Sequence, residues 1–284
     1  MDVLSELAGI GAERLFGRSN YANNHLNLSE IRLSAFKTGH LDVFLNSLSL
    51  DDKATGDIFR VLIKLVPEEE VFKSSFLKNA IEKYTSSEYI KSNLREIAND
   101  SSSYTHIAAE KVSEFVWLDL FNKVYSSGAG RSATWIPRGI RGILAKCIVE
   151  NPKAIKELAE KELFSQVPKP HHSWRSIWYR EYIKTGSLTK KQARKIRSES
   201  SSSASYDGVR AIIANKSLYP NYDELLLSIS DSKYEQVLHL LAKELPIHLL
   251  TSIMGTQSQY VLNAIERRMK ERERLQEKNN DVPF

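Results

Sequence analysis

The sequence predicts an all-helical chain in which a two-helix unit is repeated. Segments 203–215 and 231–243 align with an offset of 28 residues, and apolar segments follow at 222–229 and 247–253. Three residue types recur at that offset: Tyr206 and Tyr234, Val209 and Val237, Ala214 and Ala242. Self-similarity at a period of roughly 20 to 50 residues is typical of solenoids, because stacked units supply the core that one unit lacks. We therefore predict an α-solenoid of degenerate two-helix repeats.

Composition places the chain among soluble globular proteins. It has 284 residues, 42% of them apolar and 26% charged, which is ordinary for that class. A single cysteine, Cys147, excludes an intramolecular disulfide framework and a multi-cysteine metal site. Asp2 and Glu6 stand where a secretory signal carries basic residues, and no run of about 18 apolar residues is present. We expect a cytoplasmic protein without a membrane segment and without a cofactor.

Residues 1–88 are predicted to form an N-terminal helical region that caps or continues the solenoid. Helical spacing of apolar residues indicates helices over 1–16 and 29–36 and an apolar segment at 41–48. Asp51 opens the next helix, which Pro67 ends because proline cannot continue the backbone ladder. Its buried face is predicted to consist of Ile58, Val61, Leu62 and Leu65. Acidic residues 68–70 then begin one further helix, with these apolar positions: Val71, Phe72, Phe76, Leu77, Ala80 and Ile81.

Weaker copies of the repeat begin after residue 89. Segment 99–109 carries the Ser-x-Tyr-x-x-Ile pattern, 140–146 aligns with 209–215, and 149–159 supplies a second helix after Asn151-Pro152. These residues resemble the HEAT-like and leucine-rich repeat variant families, in which a Val-Arg-x-x-x-Ala helix, an Asn-Pro turn and a Glu-Leu-Leu helix alternate. The resemblance is clearest over 204–268 and partial over 99–164. The iron–sulphur cysteine cluster of some leucine-rich repeat variant proteins is missing.

The resemblance implies a right-handed solenoid with an extended binding surface. We assign 89–270 to the repeat domain and 271–284 to a charged helix end and tail. A helix over 259–278, charged in its second half, would serve as the polar terminal cap that a solenoid requires.

The strongest functional signal is the basic segment 166–197. It holds nine cations against the single acid Glu181, a net charge of +8 in a chain whose total is +5. The candidate binding residues are Lys169, Arg175, Arg180, Lys184, Lys190, Lys191, Arg194, Lys195 and Arg197. Thr189 and Gln192 predict a capping box at the start of a basic helix within the segment.

The aromatic residues of this segment have two interpretations. Cations interleaved with Trp174, Trp178 and Tyr182 suit single-stranded nucleic acids, where phosphates are neutralised and bases stack on aromatic rings. The same residues, with Ile177, fall at helical spacing and equally predict a buried stripe. The cations would then form a solvated face or a docking surface for an acidic protein.

Other motifs predict no site. Segment 127–131 has two glycines but lacks the strand and the Lys-Ser/Thr of a phosphate-binding loop. His171 and His172 have no further ligands at metal-binding spacing, and His239, Glu244 and His248 lack the spacing of a zinc-binding helix. Cys147 stands in an apolar context that predicts burial rather than nucleophilic reactivity.

The sequence therefore predicts a non-enzymatic scaffold or adaptor whose first expected partner is another protein. One alternative is a nucleic-acid-binding solenoid whose basic segment neutralises phosphates. The other is a base-excision enzyme, by analogy with HEAT-like glycosylases, in which Trp174, Trp178 and Glu181 would form a pocket.

Overall fold

The computed structural model describes residues 42, 45–66, 68–128, 131, 134–256 and 258–280. Every regular element in these ranges is helical, which confirms the all-α prediction. The α-helices are α1 Lys53–Leu65, α2 Glu68–Val71, α3 Ser75–Thr85, α4 Ser87–Ser92, α5 Leu94–Asn99, α6 Tyr104–Ala109, α7 Trp117–Ser126, α8 Arg138–Glu150, α9 Pro152–Glu160, α10 His172–Ile183, α11 Lys190–Arg197, α12 Ser202–Ala214, α13 Tyr222–Leu227, α14 Glu235–Glu244 and α15 Gln259–Asn280. A π-helix spans Lys161–Ser165, and 3₁₀-helices span Lys216–Leu218 and Ile247–Ile253. Among these described helices, none combines the length and apolarity needed to cross a bilayer.

The chain divides into two compact units. Unit 1 comprises Met1–Gly130 and Pro137–Lys146, and unit 2 comprises Arg131–Ile136 and Cys147–Phe284. The division falls within α8, whereas the sequence places a boundary after residue 88. The predicted helices over 1–16 and 29–36 lie outside the described residues, as do residues 281–284.

Unit 1 is built on the contacts of α1, α3 and α6. Ile58 and Leu62 are buried as the helical spacing predicts, and α1 ends at Leu65, just before Pro67. The helix predicted from residue 68 is wrong in one respect, because α2 ends at Val71 and α3 starts anew at Ser75. The Ser74 hydroxyl accepts a 3.1 Å bond from the Leu77 amide and so caps α3. Phe72, expected on a buried face, is consequently 54% exposed.

Unit 2 is built on a series of helices that pack in chain order: α10 contacts α12, α12 contacts α14, and α14 contacts α15. Shorter elements lie beside this series, since α11 contacts α12 and α13, and the 3₁₀-helix Ile247–Ile253 contacts α14 and α15. The similar segments 203–215 and 231–243 form much of α12 and α14. The matched Val209 and Val237 are fully buried in α12 and α14.

The two copies differ at their ends. Tyr206 lies inside α12, whereas the matched Tyr234 is the N-cap residue of α14. A residue of α15 caps the C-terminal end of α14. Arg268 Nη1 donates hydrogen bonds of 2.9 and 2.6 Å to the carbonyl oxygens of Ala242 and Leu245. A cation at helix-terminal carbonyls satisfies acceptors that have no partner within their own helix.

Candidate functional site

The basic segment contains α10 and α11 of unit 2. The predicted capping box is present at the start of α11. Thr189 Oγ1 accepts a 3.3 Å bond from the Gln192 amide, and Gln192 Oε1 accepts a 2.9 Å bond from the Thr189 amide. Two of the nine cations lie on α10 and five on α11, while Lys169 precedes α10 and Lys184 is its C-cap residue.

Three aromatic side chains of α10 belong to the core. Trp174 and Trp178 expose none of their surface and Tyr182 exposes 2%. The two indole rings stack at a centroid distance of 5.6 Å, and the Tyr182 hydroxyl accepts a 2.9 Å bond from Gln192 Nε2. A nucleic acid base cannot reach these rings. Their assignment as stacking residues is therefore corrected: they form the buried stripe that helical spacing also predicted, because α10 is flanked by α9 and α12.

Two of the predicted binding cations pair with a buried acid of this chain. Arg175 Nη1 forms an ion pair with Oε2 of Glu199, and Lys169 Nζ lies 3.3 Å from Oε1 of the same carboxylate. The Glu199 side chain is only 2% exposed. Tyr179 donates a 2.5 Å bond to Glu199 Oε1, and Tyr234 donates a 2.5 Å bond to the Glu199 carbonyl oxygen. Arg175 is buried and therefore leaves the candidate surface, whereas Lys169 remains exposed but is already paired with Glu199.

The environment of Tyr179 follows from this arrangement. Burial raises the pKa of its phenol well above the ordinary value, and the neighbouring negative charge of Glu199 raises it further. The phenol stays protonated and serves as a permanent hydrogen-bond donor to the carboxylate. Glu199 lies two residues beyond the predicted basic segment, in a serine-rich stretch. Only the tertiary structure shows that Arg175, Lys169 and Tyr179 all contact its carboxylate.

Two exposed cations remain at the end of α10: Arg180 in its last turn and the C-cap residue Lys184. Lys184 Nζ lies 2.9 Å from Oε1 of Glu181, one turn earlier. Arg180 is exposed and has no ion pair with any described residue. Glu181 pairs with Lys184, and Trp174 and Trp178 expose none of their surface, so the two indoles are not available to form the pocket of the base-excision alternative.

The exposed face of α11 is the best candidate for binding. This eight-residue helix carries five cations and no acid, while Ala193 and Ile196 anchor it to the core. Lys191 and Arg194 lie one turn apart, are exposed, and have no ion pair among the described residues. Lys195 Nζ donates a 3.2 Å bond to the Phe164 carbonyl oxygen and lies 5.6 Å from that ring's centre.

Carboxylates of the following segments border this face. Lys190 pairs with Glu224, and Arg197 pairs with Asp231. The acidic side chains are 57% and 67% exposed, respectively. Such pairs contribute little free energy, on the order of 0 to 1 kcal/mol, because water and salt screen them. We call Lys190, Lys191, Arg194, Lys195 and Arg197 the α11 face.

The remaining sequence candidates have structural roles. Arg131 Nη2 lies 3.1 Å from Oε2 of the buried Glu162. His171 accepts a bond from the Ser173 amide at the start of α10, with its ring 3.9 Å from that of His172. His239 stacks on Tyr260 at 4.0 Å. Burial raises the pKa of the Cys147 thiol to about 12. Across the part of the chain that the structure describes, no group of three or more His, Cys, Asp or Glu is placed to hold a metal ion.

Comparisons with protein-family models, curated proteins and solved structures find no match to this chain.

Proposed function

We propose that this chain is a non-enzymatic helical-repeat adaptor whose unit 2 binds an acidic segment of a partner protein through the α11 face. The observation that carries the proposal is the acid-free composition of α11, with Lys191 and Arg194 exposed and without ion pairs among the described residues. Electrostatic complementarity of this kind speeds association and selects acidic partners.

The packing of unit 2 supports the repeat architecture behind this function. Helices α10, α12, α14 and α15 pack in chain order, with α11 and the 3₁₀-helix Ile247–Ile253 beside them, which is the packing expected of stacked solenoid units. The HEAT-like and leucine-rich repeat variant resemblance is proposed on the same basis. Repeat arrays of this type present extended surfaces to other macromolecules.

Two observations favour a protein over a nucleic acid. The aromatic rings that would stack on bases are buried, which removes one of the two features of single-strand binding sites. The border of the α11 face already accommodates carboxylates, since Lys190 and Arg197 pair with Glu224 and Asp231. An acidic side chain of a partner could form ion pairs of the same kind with Lys191 and Arg194.

The test is a fluorescence-anisotropy titration of the full chain with a short peptide rich in Glu and Asp. Mixed-sequence single-stranded DNA, double-stranded DNA and RNA are titrated in parallel at several salt concentrations. The variant Lys191→Ser/Arg194→Ser removes two exposed cations that have no ion pair among the described residues. Lys78→Ser/Lys91→Ser is its matched control, because these exposed lysines of unit 1 carry the same charge and have no ion pair among the described residues.

We expect the α11 variant to weaken peptide binding by about fivefold, corresponding to about 1 kcal/mol, and the control to bind like the parent protein. An equal loss in both variants would mean that only net charge attracts the peptide and would reject the site. Nucleic acid binding that is tighter than peptide binding, and whose salt slope falls by roughly 1 for each lost contact, would establish the nucleic-acid alternative instead.

A further inference from the structure

Unit 1 contains a cleft that no motif in the sequence indicates. Its volume is about 890 Å³, within the range of roughly 300 to 1,000 Å³ that is common for ligand sites. Its walls come from the start of α1, the end of α3, and α4, α5 and α6. All of these elements belong to unit 1, and none of the residues of the α11 face takes part.

Three tyrosines form the aromatic wall of the cleft. The Tyr84 ring lies 5.0 Å from that of Tyr89 and 4.9 Å from that of Tyr104, measured between centroids. Tyr84 and Tyr104 are fixed by hydrogen bonds, from Tyr84 OH to the Leu50 carbonyl oxygen at 3.3 Å and from Tyr104 OH to Asp57 Oδ1 at 2.9 Å. Tyr89 is half-buried, and its hydroxyl has no hydrogen-bond partner among the described residues. The cleft therefore offers one aromatic side chain that the fold leaves available.

The charged residues of the cleft are mainly acidic. Six carboxylates line it against three cations, whereas the chain as a whole is basic. The six acids are Asp51, Asp52, Asp57, Glu88, Glu96 and Asp100. Lys83 pairs with Asp51 at 2.5 Å, and Arg60 lies 3.9 Å from Asp57. Asp52, Glu88 and Glu96 are exposed and have no ion pair among the described residues.

The side chain of Arg60 shows how an organic cation can be placed in this cleft. The guanidinium carbon of Arg60 lies 4.8 Å from the centre of the Tyr104 ring, and Nη1 of Arg60 faces Asp57. A cation placed between an aromatic face and a carboxylate is attracted by both. Tyr89 and Glu96 both line the cleft. Burial raises the pKa of the Tyr89 phenol, the charge of Glu96 raises it further, and the charge of Arg60 lowers it. This second pair of ring and carboxylate has no lysine or arginine of the chain in an ion pair with it.

The spread of the acids excludes a metal-binding arrangement. Within the described ranges, no three carboxylates or other ligands converge closely enough to coordinate an ion. Carboxylates distributed along an aromatic wall instead match positive charges that are themselves spaced along a flexible molecule.

We propose that this cleft binds an organic polycation, with one ammonium or guanidinium group over Tyr89 beside Glu96 and a second group near Glu88. Such charges occur in free polyamines and in the Lys or Arg side chains of a peptide segment. The proposal is independent of the α11 face, which lies in unit 2 and attracts the opposite charge.

Isothermal titration calorimetry on the full chain tests the proposal. Spermidine and an acetylated, amidated peptide with two arginines are titrated at matched ionic strength, and MgCl2 serves as the inorganic cation.

Two variants address the site: Glu88→Gln/Glu96→Gln removes two charges without changing shape, and Tyr89→Leu removes the aromatic face. Tyr89→Phe retains the ring and reports whether a loss in Tyr89→Leu reflects the lost ring or the lost hydroxyl. Glu82→Gln/Glu114→Gln is the control, since both acids are exposed residues of unit 1 that do not line the cleft.

We expect saturable binding of one of the two organic cations, and which one binds identifies the source of the ligand. Affinity should fall at least about tenfold in Glu88→Gln/Glu96→Gln and in Tyr89→Leu, and should persist in Tyr89→Phe and in the control. The proposal is overturned if neither organic cation saturates the protein, if MgCl2 displaces the ligand at equal charge concentration, or if the control loses as much affinity as the site variant.

Discussion

The phenol of Tyr179 donates a 2.5 Å hydrogen bond to Oε1 of Glu199, a carboxylate that is almost completely buried. The same carboxylate pairs with Arg175 and Lys169, so that one acid collects three donors from the preceding segment. The contact joins α10 to the loop before α12, and the Glu199 carbonyl extends it to Tyr234 at the start of α14. These contacts connect α10, the segment before α12 and the start of α14.

Replacing Glu199 is expected to destabilise the protein strongly. In Glu199→Gln the buried guanidinium of Arg175 loses its counter-ion, and breaking a buried pair costs about 3 to 5 kcal/mol. Tyr179→Phe removes one hydrogen bond and should cost about 1 kcal/mol. Urea unfolding followed by circular dichroism measures both.

The matched control for this experiment is Glu224→Gln, which breaks the exposed pair with Lys190. It should change the free energy of unfolding by less than about 1 kcal/mol. A Glu199→Gln protein as stable as the Glu224→Gln protein would show that the contacts of Glu199 do not stabilise unit 2.

Two glycines of α8 should respond to alanine in opposite ways. A Cβ atom at Gly139 would lie 2.0 Å from the Ile97 carbonyl oxygen, which is backbone and cannot move aside. At Gly142 the nearest atoms would be 4.0 Å away. Gly139→Ala should therefore lower the free energy of unfolding by several kcal/mol, on the order of 3 or more, through overpacking. Gly142→Ala should raise it by up to about 1 kcal/mol, since alanine favours the helix. Equal unfolding midpoints for the two variants would contradict the close approach of α8 to Ile97.

His106 should make the stability of unit 1 depend on pH. Its Nδ1 lies 2.7 Å from Ser103 Oγ, and its Nε2 lies 3.1 Å from the Gly139 carbonyl oxygen. Burial lowers the pKa of this imidazole in the folded state, and it outweighs the opposing effects of the Gly139 carbonyl, Asp100 and Glu110. The unfolded chain therefore binds the proton more readily than the folded chain. Stability is fully present above the unfolded pKa of about 6.5 and falls as the pH is lowered through and below it.

The measurement is the free energy of unfolding between pH 7.5 and pH 5.5, values chosen to bracket that pKa of about 6.5. The parent protein should lose stability over this interval, and His106→Gln should lose less, because it cannot take up the proton. His171 and His239 are present in both proteins, so their contributions to the pH dependence of the unfolding free energy cancel in the comparison. Parallel pH profiles would contradict a buried, neutral His106.

Cys147 is expected to be inert in the folded protein. Its side chain is fully buried, and burial raises its pKa to about 12, so almost no thiolate is present at pH 8. An aromatic disulfide reagent should modify the urea-unfolded chain stoichiometrically and leave the native chain unmodified over the same period. Rapid modification of the native protein would show that α8 opens at Cys147.

The helices and their buried faces could be predicted from the sequence because they depend on local spacing. The apolar face of α1, the stripe of Trp174, Trp178 and Tyr182 in α10, and the capping box at Thr189 each follow from residues within a few turns of one another. The break between α2 and α3 also has a local signal, because Ser74 is a typical N-cap residue. The apolar pattern from Val71 to Ile81 continues across this break and therefore favoured a single helix.

The tertiary structure alone decided which charges are available for binding. Arg175 and Arg194 look alike in the sequence, yet Arg175 is buried against an acid 24 residues away and Arg194 is exposed. The cleft of unit 1 likewise gathers residues from position 50 to position 104, whose proximity no helical period encodes. Side-chain spacing fixes which face of a helix is apolar, whereas the pairing of a charge depends on which distant segment the packing of those faces brings to it.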